Sequence, residues 1–217
     1  MLAIHEGQVV IRKRQLLKDI NVHFEEGKVY NLVGANGSGK TMLLKTLAGL
    51  VRLSQGKLVY NGKTLKREFL PNCGIIIEKH QFIDHLTGLE NMKLLADIKK
   101  VATLDDIKYY MSYFGLNPDD KRKVKVYSLG MLQKLSLVQA FMENPDVLLL
   151  DEPTNALDEE YIKKFQELII EFRKEKKIII ISTHDKFLLD QIADEQFLMR
   201  GGKIEQISLE RNVSREL

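Results

Sequence analysis

Two short, uninterrupted apolar segments, residues 147–150 and 178–181, are the clearest hydrophobic features of the chain. Each has the length of a strand that is buried on both faces. Between them, residues 158–173 repeat their apolar side chains at the three- and four-residue spacing of an amphipathic helix. This order predicts a βαβ unit with a parallel sheet, in which strands at 146–150 and 177–182 flank the helix.

The same patterns extend the prediction toward both termini. Residues 28–33 are a predicted strand, and residues 40–50 follow it with apolar side chains at helical spacing. The first 26 residues alternate between apolar and polar positions and carry turn-like breaks, as at Gly7, which favours small antiparallel strands. Four more strands are predicted at 56–62, 74–77, 195–199 and 203–206, and three helices at 89–99, 104–114 and 129–141.

Composition narrows the class of protein. A length of 217 residues suggests one domain, and 44% hydrophobic with 29% charged residues is ordinary for a globular core. A net charge of +3 does not argue for nucleic acid, and the basic clusters at 12–14 and 121–125 are interpreted as solvated loops. Cys73 is the single cysteine, which favours a reducing compartment. No apolar run approaches the ~20 residues of a membrane span, and the N-terminus lacks a signal-peptide pattern.

The segment between the first predicted parallel strand and its helix matches G-x-x-x-x-G-K-[ST]. The segment consists of Gly34, Ala35, Asn36, Gly37, Ser38, Gly39, Lys40 and Thr41. Glycines allow backbone N–H groups to converge on phosphate oxygens at a helix N-terminus. Lys40 is expected to reach the β- and γ-phosphates, and the Thr41 hydroxyl to bind Mg²⁺. The sequence therefore predicts a binding site for a nucleoside triphosphate and Mg²⁺.

Two carboxylates, Asp151 and Glu152, end the apolar strand at 147–150. At such a strand end in a phosphate-loop enzyme, Asp151 is expected to hold the Mg²⁺ shell. Glu152 is expected to accept a proton from the attacking water. The alternative is a strand followed by an acidic turn.

Two further residues have both a structural and a catalytic interpretation. His184 follows the strand at 178–181, where it is either a structural residue or a hydrogen-bond donor to the γ-phosphate. Ser128 precedes the helix at 129–141 and is a natural N-cap. The N-terminus of that helix is also a candidate phosphate site, far enough from Lys40 in sequence to serve a nucleotide on a second copy of the chain.

Taken together, these motifs resemble the ATP-binding subunits of ABC transporters over nearly the whole chain. In the family's order they are the phosphate loop 34–41, a signature variant at 127–131 that includes Ser128 and Gly130, the acidic strand 147–152, the loop 155–158 and the switch histidine His184. The resemblance implies a head-to-tail dimer that sandwiches ATP, with membrane-spanning subunits as partners. It places the chain in the cytoplasm, on the inner face of the cell membrane, and the signature variant is similar to those of bacterial exporters.

The predicted fold class is α/β, a phosphate-loop NTPase core with a mainly parallel sheet, an N-terminal antiparallel β subdomain and an inserted α-helical subdomain. Residues 1–217 form one ATP-binding domain, in which 1–87 and 144–217 are the core and 88–143 the helical subdomain that carries the signature.

Two positions depart from the family pattern. The position of the family's Mg²⁺-contacting glutamine falls on Glu78, with Gln81 three residues later as the alternative. The position of the aromatic residue that stacks on adenine falls on Ile11, and residues 9–15 contain no aromatic side chain. We therefore expect Glu78 to ligate Mg²⁺ and adenine to be bound with less selectivity for the base.

Two other functions remain as alternatives. A nucleic-acid- or ribosome-linked ATPase of the same family normally needs a long insertion or two cassettes, and this chain has neither. A degenerate regulatory subunit is suggested by Glu78 and Ile11, but Lys40, Asp151 and Glu152 are all present. No nucleic-acid partner is expected.

Overall fold

The computed structural model describes residues 1–78, 81–185 and 191–208. Residues 186–190 and 209–217, which belong to the predicted core segment 144–217, lie outside this part, as do residues 79 and 80. The strands are β1 (Leu2–Ile11), β2 (Arg14–Phe24), β3 (Lys28–Val33), β4 (Gln55–Tyr60), β5 (Lys63–Leu65), β6 (Cys73–Ile76), β7 (Val147–Asp151), β8 (Ile178–Ser182), β9 (Glu195–Arg200) and β10 (Lys203–Ile207). The helices are α1 (Lys40–Leu47), α2 (Gly88–Lys99), α3 (Leu104–Tyr113), α4 (Leu129–Phe141) and α5 (Glu159–Lys174).

Two sheets form the framework. One has the order β10-β9-β3-β8-β7-β6, in which β9, β3, β8, β7 and β6 are mutually parallel and β10 is antiparallel at the edge. The other is antiparallel, with the order β2-β1-β4-β5. The predicted α/β fold, with a mainly parallel sheet and an N-terminal antiparallel sheet, is confirmed.

The apolar residues of the parallel strands pack on both faces of the larger sheet. On one face, Leu148, Leu150 and Ile179 contact the helices α4 and α5, together with residues of the helical segment 88–143. On the other, Leu149 and Ile180 pack with α1 and with the antiparallel sheet. Because both faces are covered, β7 and β8 are continuous apolar runs rather than alternating ones.

The ends of the helices follow local capping chemistry. Thr87 and Thr103 each form a capping box at the start of α2 and α3, and the Ser128 and Asp158 side chains accept hydrogen bonds at the start of α4 and α5. Capping explains why α5 begins one residue after the predicted boundary at 158, since an N-cap residue has extended backbone angles. The predicted break at Gly7 is an irregularity of register inside β1.

The parallel order places three functional segments at one edge. β3 leads into the phosphate loop, while β7 and β8 are adjacent, with Asp151 opposite Ser182. The carboxyl ends of these strands therefore meet above α1, which is where an open parallel sheet binds its ligands.

Candidate functional site

The phosphate loop joins β3 to α1, and its backbone conformation requires glycine at the first position. Gly34 has φ +148°, and a Cβ there would lie 2.3 Å from the Met199 carbonyl oxygen. Gly39 precedes α1 with φ +115°. The Lys40 side chain is 8% exposed, and its Nζ donates a hydrogen bond of 2.6 Å to the Gly34 carbonyl. The ammonium group is therefore held inside the loop, where the predicted phosphates would bind.

Thr41 and Asp151 meet across the site although they are far apart in sequence. The Thr41 hydroxyl donates to Asp151 Oδ2 at 2.5 Å. Mg²⁺ prefers such oxygen ligands and keeps several waters, so it is usually bound by one or two protein groups together with substrate phosphates. In the part of the chain that the structure describes, no group of three or more His, Cys, Asp or Glu side chains could hold a metal by itself. The pair thus fits Mg²⁺ that arrives with a phosphate ligand.

Glu152 and His184 follow the neighbouring strands β7 and β8, one and two residues beyond their ends. His184 Nε2 is 3.6 Å from Glu152 Oε1, and the Glu152 amide donates to the Ser182 carbonyl at 2.7 Å. Glu152 has φ +48°, a backbone conformation that costs a non-glycine residue roughly 1–2 kcal/mol. Strain of this kind persists only where the surroundings enforce it, and it is concentrated at functional sites.

A cleft of about 430 Å³ joins the phosphate loop to Asp151 and Glu152, and the described residues that line it do not include His184. Such a volume lies within the range of small-molecule sites. Its lining residues are Leu16, Asn36, Gly37, Ser38, Gly39, Lys40, Thr41, Met42, Lys45, Glu78, Asp151 and Glu152. Residues 36–41 of the phosphate loop and both strand-end carboxylates therefore face one space.

Leu16 is a cleft residue that the sequence analysis missed. In the ladder between β1 and β2, Val9 pairs with Leu17 and Val10 with Gln15, so Leu16 is an extra residue at a bulge. A bulge re-aims a side chain, and bulges are common beside binding sites.

Ile11, the predicted adenine-contacting position, pairs with Arg14 at the end of β1. Its side chain is exposed, and Ile11 is not among the described residues that line the cleft.

Glu78 lines the cleft, and its carboxylate accepts a hydrogen bond from Lys45 Nζ. It has φ +66°, so it sits in the left-handed region. Gln81, the alternative, lines a neighbouring groove instead. This placement favours Glu78 over Gln81 as the residue closest to the phosphate loop.

Ser128 caps α4, because its Oγ accepts a hydrogen bond of 3.2 Å from the Met131 amide. The hydroxyl is at the exposed end of the helix. The described residues that line the cleft include neither Ser128 nor Gly130. Gly130 instead approaches the loop 155–158, since a Cβ there would lie 2.8 Å from the Ala156 carbonyl oxygen. The structure thus separates the start of α4 from the phosphate loop of the same chain.

Comparisons with known proteins identify the family of this chain. A sequence model described as "ABC transporter" matches residues 17–155. The chain is 39% identical over 197 residues to the ABC transporter ATP-binding protein YybJ of Bacillus subtilis, a match that covers 90% of each. It is 36% identical to the lantibiotic transport ATP-binding protein SrtF of Streptococcus pyogenes, over 94% of this chain and 89% of that protein.

Solved structures share the fold. A structure described as a dimeric post-hydrolysis state of the ATP-binding cassette MJ0796, bound to ADP and Pi, aligns with a TM-score of 0.84 and 20% identity. The alignment covers 96% of this chain and 100% of that one. Among the described residues, no helix is both long and apolar enough to cross a membrane.

Proposed function

The chain belongs to the ABC transporter family and is an ATPase of that family, and from this premise we propose that it drives a membrane-spanning exporter as one half of a head-to-tail pair of ATPase subunits. The observation that supports this most is the single cleft in which Lys40, the Thr41–Asp151 pair and Glu152 face each other. Phosphoryl transfer depends on positioning and on charge stabilisation, and these groups supply both.

The phosphate loop and the acidic residues of the cleft have distinct roles in hydrolysis. The backbone N–H groups of residues 34–39 and the Lys40 ammonium bind the phosphates of ATP. Thr41, Asp151 and Glu78 would hold Mg²⁺, which would neutralise charge on the phosphates when bound. Glu152 orients the attacking water and accepts its proton.

His184 acts beside Glu152. At 3.6 Å, the imidazole is close enough to restrict the carboxylate and to donate a hydrogen bond toward the γ-phosphate once ATP is bound. Catalytic hydrogen bonds often tighten only in the complex with substrate, so a separation of 3.6 Å is compatible with this role.

A second copy of the chain completes the site. Ser128 and Gly130, at the start of α4, contact the γ-phosphate of the ATP held by the partner's phosphate loop. The surface beside Ser128 is apolar, since Leu129 is 64% exposed and Val126 is 58% exposed. Large exposed apolar side chains around a polar group are typical of a protein interface. The dimeric cassette of the same fold is consistent with this arrangement.

The membrane-spanning partner docks in a groove of about 620 Å³ between the edge of the parallel sheet and α2. Apolar side chains line it, among them Leu50, Ile77, Phe82 and Leu94, and Glu78 lies at the point where the groove approaches the cleft. An amphipathic helical segment of the membrane subunit fits such a surface. The similarity to a lantibiotic transport protein supports export from the cytoplasm, with the chain peripheral on the inner face of the membrane.

Phosphate release from MgATP tests the proposal. Wild type should hydrolyse ATP, whereas Lys40→Met should lose nucleotide binding together with turnover because the cation over the phosphates is gone. Glu152→Gln should keep nucleotide binding and lose turnover. Normal hydrolysis by the Glu152 variant would remove that residue from catalysis. Co-purification with a membrane-spanning protein expressed from the same operon tests the transporter assignment.

A further inference from the structure

Tyr161, in the first turn of α5, is wedged between parts of the helical subdomain. Lys134 of α4 places its Nζ 3.2 Å from the centre of the Tyr161 ring. The phenol oxygen lies against the backbone at Gly115, just beyond α3, where a Cβ would be only 1.8 Å from it. The start of α5 is thereby fixed to two elements of the helical subdomain, through a cation–π contact and through close packing.

Lys134 makes a second contact with the same region. Its Nζ is 3.7 Å from Asp158 Oδ2, and its side chain is only 14% exposed. Asp158 is the last residue of the loop 155–158 and the N-cap of α5. Lys134 therefore joins α4 to the distal end of that loop.

The segment between Glu152 and the loop 155–158 is also held by α4. The buried Gln133 side chain donates a hydrogen bond of 2.6 Å to the Pro153 carbonyl, one residue beyond Glu152. Gly130 lies against Ala156, in the middle of the loop. Three residues at the i, i+3 and i+4 spacing of one face of α4, Gly130, Gln133 and Lys134, thus contact the chain that follows the catalytic carboxylate.

From this arrangement we infer that Lys134 is a positioning residue for hydrolysis. With Tyr161, Lys134 holds the loop 155–158 against α4. When Ser128 contacts the partner's nucleotide, this connection also holds Glu152 in place beside the nucleotide of its own chain. The inference rests on the proposed head-to-tail pair, since Ser128 is outside the cleft of its own chain. Lys134 touches no nucleotide, and it acts only through the loop.

A second lysine on the same ring provides a matched control. Lys164 places its Nζ 4.8 Å from the centre of the Tyr161 ring, and it pairs with Glu160 at 2.9 Å. Lys164 belongs to α5, as Tyr161 does, so its contact cannot join α5 to α4. Removal of this cation changes the charge beside the ring without breaking the connection between the two elements.

The experiment compares kcat and KM for MgATP in variants of the full chain. Lys134→Met keeps the aliphatic length and removes the cation, and Tyr161→Leu removes the ring. Each should lower kcat roughly tenfold, which corresponds to about 1.4 kcal/mol and lies within the range of a partly desolvated cation–π contact. KM should change little, because the phosphate loop is untouched. The double variant should be less impaired than the product of the two single effects predicts, as expected for residues that share one interaction.

Conservative variants separate positioning from general stability. Lys134→Arg keeps a cation that stacks on aromatic rings, and Tyr161→Phe keeps the ring face, so both should retain wild-type kcat. Lys164→Met should also retain it. The inference is overturned if Lys134→Met hydrolyses ATP at the wild-type rate, if Lys164→Met is equally impaired, or if Lys134→Arg fails to rescue. Should Lys134→Met not fold, the contrast between Tyr161→Leu and Tyr161→Phe decides the same question.

ATP-dependent dimerisation distinguishes failure of this inference from failure of the proposed head-to-tail pair of subunits. In the Glu152→Gln background, MgATP should produce a dimer whether or not Lys134 is changed. Normal dimerisation with wild-type kcat in Lys134→Met refutes the positioning role alone. Absence of any ATP-dependent dimer refutes the head-to-tail pair, and the inference falls with it.

Discussion

Replacement of Glu78 by Gln and, separately, by Ala gives the contrast that separates a metal-site role from a surface role most clearly. The Glu78 carboxylate lines the cleft and pairs with Lys45, and the two side chains are 57% and 22% exposed. An ion pair this exposed contributes at most about 1 kcal/mol to the free energy of unfolding. The strain at φ +66° is common to Glu and Gln, so it cancels in the comparison. Loss of the pair should thus lower the melting temperature by no more than roughly 2–4 °C.

Because stability changes so little, the rate of hydrolysis reports on the site itself. Gln offers an oxygen ligand without the charge, so Glu78→Gln should keep nucleotide affinity and preserve or raise basal turnover. Glu78→Ala removes the ligand and should lose Mg²⁺ dependence or activity. Phosphate release measured over a series of Mg²⁺ concentrations gives both quantities.

Gln81→Ala is the matched control, since Gln81 lines the neighbouring groove rather than the cleft. It should leave the Mg²⁺ dependence unchanged. If both Glu78 variants behave as wild type while Gln81→Ala is impaired, the assignment of Glu78 to the metal is refuted and Gln81 takes its place.

Three other changes test separate parts of the account. Ser128→Asp should have the melting temperature of wild type, because Asp also caps a helix. It should lose dimerisation and turnover, because the carboxylate repels the partner's γ-phosphate. Unchanged hydrolysis would mean that Ser128 only caps the helix. Wild type should hydrolyse ATP and GTP with similar KM, and a native preference for ATP would contradict that prediction. Ile11→Tyr should lower the KM for ATP selectively, since stacking on a base is worth ~1–3 kcal/mol. Hydrogen bonds from Thr87 and the ion pair with Lys123 lower the pKa of Glu90 from 4.5 to about 2. The stabilisation lost in Glu90→Gln should therefore be constant above about pH 5 and vanish as the pH falls toward 2, which urea unfolding at several pH values would detect.

The elements of the core were predictable because their hydrophobic patterns are strong. The helix predicted at 129–141 coincides with α4, and the strand predicted at 28–33 coincides with β3. The short strand β5 was missed, since its three residues are mostly exposed and carry no apolar alternation. The phosphate-loop helix ends at Leu47 rather than residue 50, because Gly49 adopts φ +78° just beyond it.

At the site, the sequence predicted which strand ends carry chemistry, and the structure brings two of them, the ends of β3 and β7, into one cleft. The proximity of Thr41 to Asp151 follows from the parallel order of β3, β8 and β7. Leu16 was not predictable, because a bulge in the ladder, rather than the alternation of the strand, directs it to the cleft. The contact of Lys134 with Tyr161 joins two helices whose relative placement no local pattern encodes.

The mass of the Glu152→Gln protein in solution tests the central claim, a nucleotide held between two copies of this chain. Multi-angle light scattering should give a monomer without nucleotide and a dimer with MgATP, in which each protomer retains a nucleotide. Addition of Ser128→Asp to the same variant should return it to a monomer that still binds ATP. A protein that stays monomeric with MgATP, or a dimer that Ser128→Asp leaves intact, would contradict the account.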